Sequence, residues 1–176
     1  KEKCKIAGIE IAKKIYTFYD KKIEFVPFFK DGDNVQKDDI IFSLSGNQHS
    51  ILATERLVLN CMQRMSGIAT KTQKFVNKIK DLNTIILDTR KTCPSIRFLD
   101  KEAVTIGGAK NHRQGLYDAV MIKDNHIDFS GGIKNAITNC KHYITKHQLH
   151  NIKIIIEVRN LKELNIVLDH GSIDRI

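Results

Sequence analysis

The chain reads as an α/β protein in which parallel strands are covered by helices. Thr84-Ile85-Ile86-Leu87, Ala119-Val120-Met121-Ile122 and Ile154-Ile155-Ile156 are short, continuously apolar runs, the mark of strands buried on both faces. Helical patterns separate and follow them near Arg97 to Ile106, Gly132 to Lys146 and Leu161 to Asp169, and that alternation belongs to a parallel sheet with crossover helices. A further strand is expected to begin at Ile173.

The first third of the chain has a different rhythm. Ile11, Ile15, Phe18 and Tyr19 recur with lysines between them, which predicts an amphipathic helix from about Ile6 to Tyr19. Ile23 to Phe29 is rich in β-branched and aromatic residues and predicts a strand, with Pro27 marking an edge or a bulge. Asp31-Gly32-Asp33-Asn34 is a turn, and Asp39 to Leu44 a second strand closing at Gly46. The Asp-x-Asp spacing is shared with calcium loops, but the later ligands and the sixth-position glycine are missing, so a hairpin turn is expected. From His49 to about Lys80 the pattern is helical, with Leu52, Leu59, Met62 and Met65 on one stripe. Ser66-Gly67 predicts two helices or one kinked helix.

Composition narrows the function. The chain has 176 residues, 41% hydrophobic and 28% charged, ordinary for a soluble globular protein. No run approaches the ~20 apolar residues of a membrane helix, and no apolar secretory leader is read. Cys4, Cys61, Cys93 and Cys140 are widely spaced without a CxxC pair, which predicts a reducing, cytoplasmic setting without a disulfide framework or zinc site. The net charge of +9 raises nucleic acid as a partner. However, the chain has no Trp, no aromatic stripe of the RNA-binding type, no zinc finger and no helix-turn-helix pattern. Small anions fit better.

The charge gathers at strand ends. Asp88-Thr89-Arg90-Lys91 follows the first apolar run, Lys123-Asp124 follows the second, and Glu157 ends the third. Ligands of α/β barrels and open parallel sheets bind at the carboxyl ends of strands. The chain uses 22 lysines but 7 arginines, and Arg offers a planar fork for carboxylate or phosphate that Lys lacks. Arg90 and Arg113 are two of the seven.

Each motif has a plainer alternative. Arg90 and Lys91 could be loop charges, although hydroxyls at Thr89 and Thr92 beside them make a cradle for an anion. His112-Arg113 could sit at a helix end, while Gly107-Gly108 suggests a loop whose backbone approaches a ligand. Lys123 at the end of a buried strand is costly unless paired or bound to an anion. Glu157 could form a buried salt bridge, bind ribose hydroxyls or help hold a metal–phosphate complex. Asp88 could orient Arg90 or cap the next turn. Arg56 reads as a helix-surface ion-pairing residue, and His142, His147 and His150 as exposed.

These residues closely resemble the quinolinate phosphoribosyltransferase family, also called nicotinate-nucleotide pyrophosphorylase (carboxylating). The resemblance runs in order through Glu55-Arg56-Leu57-Val58-Leu59-Asn60, Ser66-Gly67-Ile68-Ala69-Thr70, Asp88-Thr89-Arg90-Lys91-Thr92 and Gly107-Gly108-Ala109-Lys110-Asn111-His112-Arg113. It continues through Leu116-Tyr117-Asp118 and Ile122-Lys123-Asp124-Asn125-His126, and more weakly through Ile156-Glu157-Val158. Arg159 stands where an acidic or neutral residue is more familiar in the family.

The resemblance implies part of an N-terminal α/β sandwich-like domain with a linking helix over residues 1–65, then the first part of an incomplete, truncated α/β barrel over 66–176. It implies transfer of phosphoribose from phosphoribosyl pyrophosphate to quinolinate with decarboxylation, giving nicotinate mononucleotide, pyrophosphate and carbon dioxide in NAD biosynthesis. Carried over by motif, Arg90, His112, Arg113 and Lys123 would bind quinolinate, with Arg56 donated across a homodimer interface and Thr89 among the substrate-binding residues. Lys91 would face the donor and Glu157 its ribose; Lys91, Lys123 and Glu157 would be the catalytic set. Mg2+ would accompany phosphoribosyl pyrophosphate, with its family Asp and the glycine-rich phosphate turns falling beyond Ile176, so that no metal ligand is expected within this chain. The chain alone is therefore expected to be inactive, with unpaired strand edges. A non-catalytic anion-binding or scaffold remnant and a related nicotinate phosphoribosyltransferase are the alternatives.

Overall fold

The computed structural model describes residues 2–149 and 151–176, so the reading of His150 lies outside the described residues. The chain divides into two compact units, Lys1–His112 and Arg113–Ile176.

The first unit begins with β1 (Cys4–Lys5) and α1 (Ile9–Tyr19). Then come β2 (Glu24–Pro27), β3 (Asn34–Val35), β4 (Phe42–Ser45), α2 (Gln48–Lys78) and α3 (Arg97–Ile106). β2 and β4 form an antiparallel pair that sets Phe25 opposite Leu44 and Pro27 opposite Phe42. β1 pairs antiparallel with β3. The Asp31 turn acts at a distance: Asp31 Oδ1 accepts the Ile9 N–H at 2.8 Å. That caps the start of α1, whose own N-cap, Gly8, supplies no side chain.

The buried face of α1 differs from the expected stripe. Ile9, Ala12 and Tyr16 are buried, whereas Phe18 is 91% exposed. The core selects Ala12 because the backbone of α1 approaches α2, and Tyr16 because its ring packs on Phe25 and Phe42.

α2 is one continuous helix through Ser66-Gly67, so of the two expectations there the pair of separate helices is not formed. Asn47 caps it, its Oδ1 accepting the N–H groups of His49 (2.8 Å) and Ser50 (3.4 Å). Its buried face is Thr54, Val58, Met62, Met65, Ser66, Ala69 and Thr72, while Leu52 points outward. Ser66 is there as a connector: its hydroxyl accepts the Ala7 N–H (3.0 Å) and reaches the Ala7 carbonyl (3.1 Å).

Gly107-Gly108 ends α3 against α2. A Cβ on Gly107 would lie 2.5 Å from Thr72 Cβ, so helix packing by itself requires glycine at this position. Thr84 to Leu87 does not form a strand ladder. It makes a single parallel bridge, Leu87 to Lys110, and Ile85 is 58% exposed.

In the second unit, β5 (Ala119–Ile122) and β6 (Lys153–Ile156) are parallel, as the apolar runs predict, with Ile122 opposite Ile156. The helices are α4 (Asp124–Phe129), α5 (Ile133–Lys146) and α6 (Leu161–His170). α4 was not expected, being a helix of only six residues immediately after Lys123. The core gathers Ile122, Ile127, Ile133, Ile137, Ile154, Ile156 and Val167. The expected strand at Ile173 begins as a bridge from Ile155 to Arg175. Arg159 fastens the two short helices by ion pairs to Asp128 (3.1 Å) and Glu163 (2.7 Å). No helix among the described residues is long and apolar enough to cross a membrane.

Candidate functional site

Two clusters of charged residues stand out, one in each unit: the first beside the isolated Leu87–Lys110 bridge, the second at the ends of β5 and β6. In the first, the single parallel bridge does the positioning. Lys110 N–H donates to the Ile86 carbonyl (3.0 Å) and Asp88 N–H to the Lys110 carbonyl (3.2 Å). The Thr89-Arg90-Lys91 and Asn111-His112 segments therefore leave the bridge side by side.

Asp88 is the centre of this cluster, and it neither orients Arg90 nor caps the following turn. Its Oδ1 accepts from Lys101 Nζ at 2.6 Å and from the His112 N–H at 2.7 Å. With its amide nitrogen turned inward, Asn111 donates to Asp88 Oδ2 (2.7 Å) and to the Lys101 carbonyl (3.0 Å). The Lys101 and Asp88 side chains are 2% and 7% exposed, respectively.

Arg90 and Lys91 have no acidic partner among the described residues. Arg90 Nε is buried and without a hydrogen-bond partner among them. Thr89 Oγ1 accepts the Lys91 N–H at 3.1 Å, shaping the loop. Arg56 lies on the exposed face of α2 with Glu55 and Leu57.

Below this loop, Asp100 accepts both Nε (2.6 Å) and Nη2 (2.7 Å) of Arg64 and the Cys93 N–H (2.9 Å). The Arg64 hydrogen bonds hold the Asp100 carboxyl below the usual carboxylate range, with burial opposing and the Cys93 amide assisting. Among the described residues, no three His, Cys, Asp or Glu side chains gather where they could hold a metal.

In the second unit, β5 delivers Lys123 and β6 delivers Glu157. Their register is continued by a Glu157 N–H bond to the Ile122 carbonyl (2.9 Å). Lys123 Nζ lies 3.3 Å from Glu157 Oε2, and the side chains are 42% and 54% exposed. Glu157 is therefore not the buried ion-pair partner that one sequence reading allowed; the pair is open to a ligand. His126 Nδ1 accepts the Lys123 N–H (2.9 Å) and fixes the turn into α4. Arg113 Nη1 donates to the Ala119 carbonyl at 3.1 Å.

The residues missed from the sequence are Lys101, Asp100 and Arg64, and Asn111 was seen only as part of a motif, without its bond to Asp88. No local spacing signals them, since their partners lie up to 36 positions away. Both His142 and His147 are exposed; the His147 ring lies against Tyr143, centroids 4.2 Å apart.

Residues 1–66 match the model of the quinolinate phosphoribosyl transferase N-terminal domain, and residues 68–176 match that of its C-terminal domain. The chain belongs to the quinolinate phosphoribosyl transferase family. It is 44% identical over 172 residues to quinolinate phosphoribosyltransferase [decarboxylating] 2b, mitochondrial, of Nicotiana tabacum, covering 98% of this chain and 48% of that protein. Identity to the chloroplastic nicotinate-nucleotide pyrophosphorylase [carboxylating] of Arabidopsis thaliana is also 44%, with 98% and 49% covered.

Among solved structures, NadC from Streptococcus pyogenes superposes with a TM-score of 0.89 at 35% identity, covering 97% of this chain and 59% of that one. The nicotinate-nucleotide pyrophosphorylase from Francisella tularensis gives 0.87 at 41% identity, covering 96% and 59%. The chain thus spans about half the length of the curated relatives it matches.

Proposed function

We propose that this chain carries the acceptor-binding side chains of a quinolinate phosphoribosyltransferase. In the whole protein, phosphoribosyl pyrophosphate and quinolinate would give nicotinate mononucleotide, pyrophosphate and carbon dioxide. The observation that carries the reading is Arg90, whose buried Nε lacks a hydrogen-bond partner among the described residues, in a loop following the Leu87–Lys110 bridge where none of those residues pairs an acid with it or with Lys91. A donor left in that state costs about 1–3 kcal/mol, which an incoming carboxylate offsets.

Quinolinate presents two adjacent carboxylates, and Arg90, His112, Arg113 and Lys123 supply the donors for them, with Thr89 shaping the loop. Lys91 faces the donor's phosphates and Glu157 its ribose. The Lys123–Glu157 approach of 3.3 Å supports this division, because acceptor nitrogen and ribose must meet to react. The pyridine nitrogen bonds to the ribose carbon as the bond to pyrophosphate breaks. The carboxylate next to that nitrogen then leaves as carbon dioxide, its electron pair held beside the cationic ring nitrogen until a proton replaces it. Positioning and fixed charge are what the protein contributes.

Mg2+ is proposed to arrive with the donor's pyrophosphate, as part of that substrate. A homodimer is proposed in which the exposed Arg56 serves the partner's site. Plant relatives are named as mitochondrial or chloroplastic, so a cytoplasmic location is a proposal for cell fractionation to check.

The test is a full-length protein assayed with phosphoribosyl pyrophosphate, Mg2+ and either quinolinate or nicotinate. Nicotinate mononucleotide and carbon dioxide from quinolinate alone support the reading. Turnover of nicotinate instead, or quinolinate binding without turnover, overturns it.

A further inference from the structure

We propose that Lys101 is a positioning residue whose role is to mask the charge of Asp88, so that Asp88 can shape the basic loops without quenching them. The inference rests on the acceptor-binding reading above. It starts from a conflict in the geometry. The His112 amide and the Asn111 side chain both need an acceptor at Asp88. That acceptor is a carboxylate only two positions before Arg90. An unmasked carboxylate there would attract Arg90 and Lys91, and the anion site would neutralise itself.

Lys101 resolves the conflict from behind. It reaches Asp88 from α3 at 2.6 Å, with both side chains buried. Arg90, in spite of its nearness in sequence, makes no ion pair with Asp88 among the described residues. A stability role is a poor explanation for the pair, because well-packed apolar residues commonly match or exceed a buried ion pair in stability. What an apolar replacement of Lys101 cannot do is leave Asp88 as an acceptor while cancelling its charge.

The experiment uses the full-length protein and calorimetric titration with quinolinate. Binding by the unsubstituted protein checks the acceptor reading by itself, and its failure would refute that reading and not the masking. Given binding, Lys101→Met is expected to weaken quinolinate at least tenfold while the circular-dichroism spectrum is kept. Asp88→Asn combined with Lys101→Met removes both charges and keeps an oxygen for the His112 N–H, giving up only the acceptor that faces the Asn111 amide. It is expected to recover affinity to within about threefold of the unsubstituted protein, a rescue that a purely structural role for Lys101 would not give. Unchanged affinity in Lys101→Met overturns the proposal, as does a folded double variant that binds no better than the single one. Where Lys101→Met does not fold, the double variant decides alone: quinolinate affinity within about threefold of the unsubstituted protein supports the proposal, and a loss of tenfold or more overturns it.

Discussion

Replacing Gly107 with alanine sets two opposed effects against each other, and the structure gives their sizes. Gly107 has φ −70° and ψ −8°, which alanine adopts freely. Reduced freedom of the unfolded chain would by itself stabilise the variant by about 0.4–1 kcal/mol. The new Cβ, however, would lie 2.5 Å from Thr72 Cβ, 2.8 Å from Thr72 Cγ2 and 2.8 Å from the Ala69 carbonyl oxygen. Carbon atoms prefer about 3.5–4.0 Å. Neither neighbour yields easily: Thr72 is buried and β-branched, and Ala69 belongs to the backbone of α2. Overpacking of this kind costs about 1–3 kcal/mol or more, and the close approach to backbone puts it at the upper end. The net expectation is a loss of about 2 kcal/mol, or roughly 4–8 °C in Tm for a chain of this size. Thermal and urea unfolding followed by circular dichroism measure it. Gly67→Ala is the matched control, since its Cβ meets nothing within 4 Å inside α2. It is expected to gain about 0.5–1 kcal/mol. If Gly107→Ala melts at or above the unsubstituted protein, the packing account of the double glycine is wrong.

Further expectations concern charge and assembly. The depressed Asp100 carboxyl contributes stability that is fully present above the unfolded carboxylate value near 3.9 and is lost as pH falls through its lower folded value. Arg64→Ala should cost about 1–2 kcal/mol at neutral pH, less than a fully buried pair because Arg64 is partly exposed, and should flatten the acid limb of an unfolding-versus-pH curve. Arg113→Ala should lose quinolinate binding in a calorimetric titration, whereas Lys141→Ala should not; equal effects would remove Arg113 from the clamp. Mixing full-length Arg56→Ala and Arg113→Ala subunits, each inactive, should restore roughly a quarter of the unsubstituted activity. Half the dimers are then hybrids with one intact site of two. No restoration would mean that Arg56 serves its own subunit.

Where burial follows side-chain size and a local period, the sequence was a good guide. Arg97 to Ile106 is α3, and Ala119 to Ile122 is β5. The same logic misled at Thr84 to Leu87, because a continuous apolar run reports what could be buried and not whether a strand lies alongside. It misled in part on α1, where Ile11 and Ile15 do pack against the core but Ala12 and the Tyr16 ring are buried in place of Phe18 and Tyr19. Thr54 on α2 lies outside the apolar stripe that the sequence shows, yet its hydroxyl donates to the Ser50 carbonyl (2.9 Å) and it is buried at no loss of hydrogen bonding. The strand-end cations were visible as a pattern. The carboxylate that shapes one cluster was visible only as a residue, because Asp88 finds Lys101 through the fold and not through spacing.

Arginine choice in a lysine-biased chain proves to be a weaker signal than its rarity suggests. Arg64 forks Asp100 and Arg159 forks Glu163, so planar geometry is already used for holding helices and loops together. What separates Arg90 from these is that, among the described residues, no acid pairs with it and its buried Nε has no partner. The two kinds of arginine should therefore respond in opposite ways. Arg64→Ala should lower stability with little change in quinolinate affinity, since Arg64 is occupied by Asp100. Arg90→Met should leave stability unchanged or raise it by up to about 1 kcal/mol, because it removes an unsatisfied buried donor. The same change should weaken quinolinate at least tenfold, the loss of a charge-assisted bond of about 1.5–3 kcal/mol. Urea unfolding and calorimetric titration on the same preparations read both quantities. A stability loss in Arg90→Met as large as that in Arg64→Ala, with quinolinate affinity intact, would make Arg90 one more structural arginine.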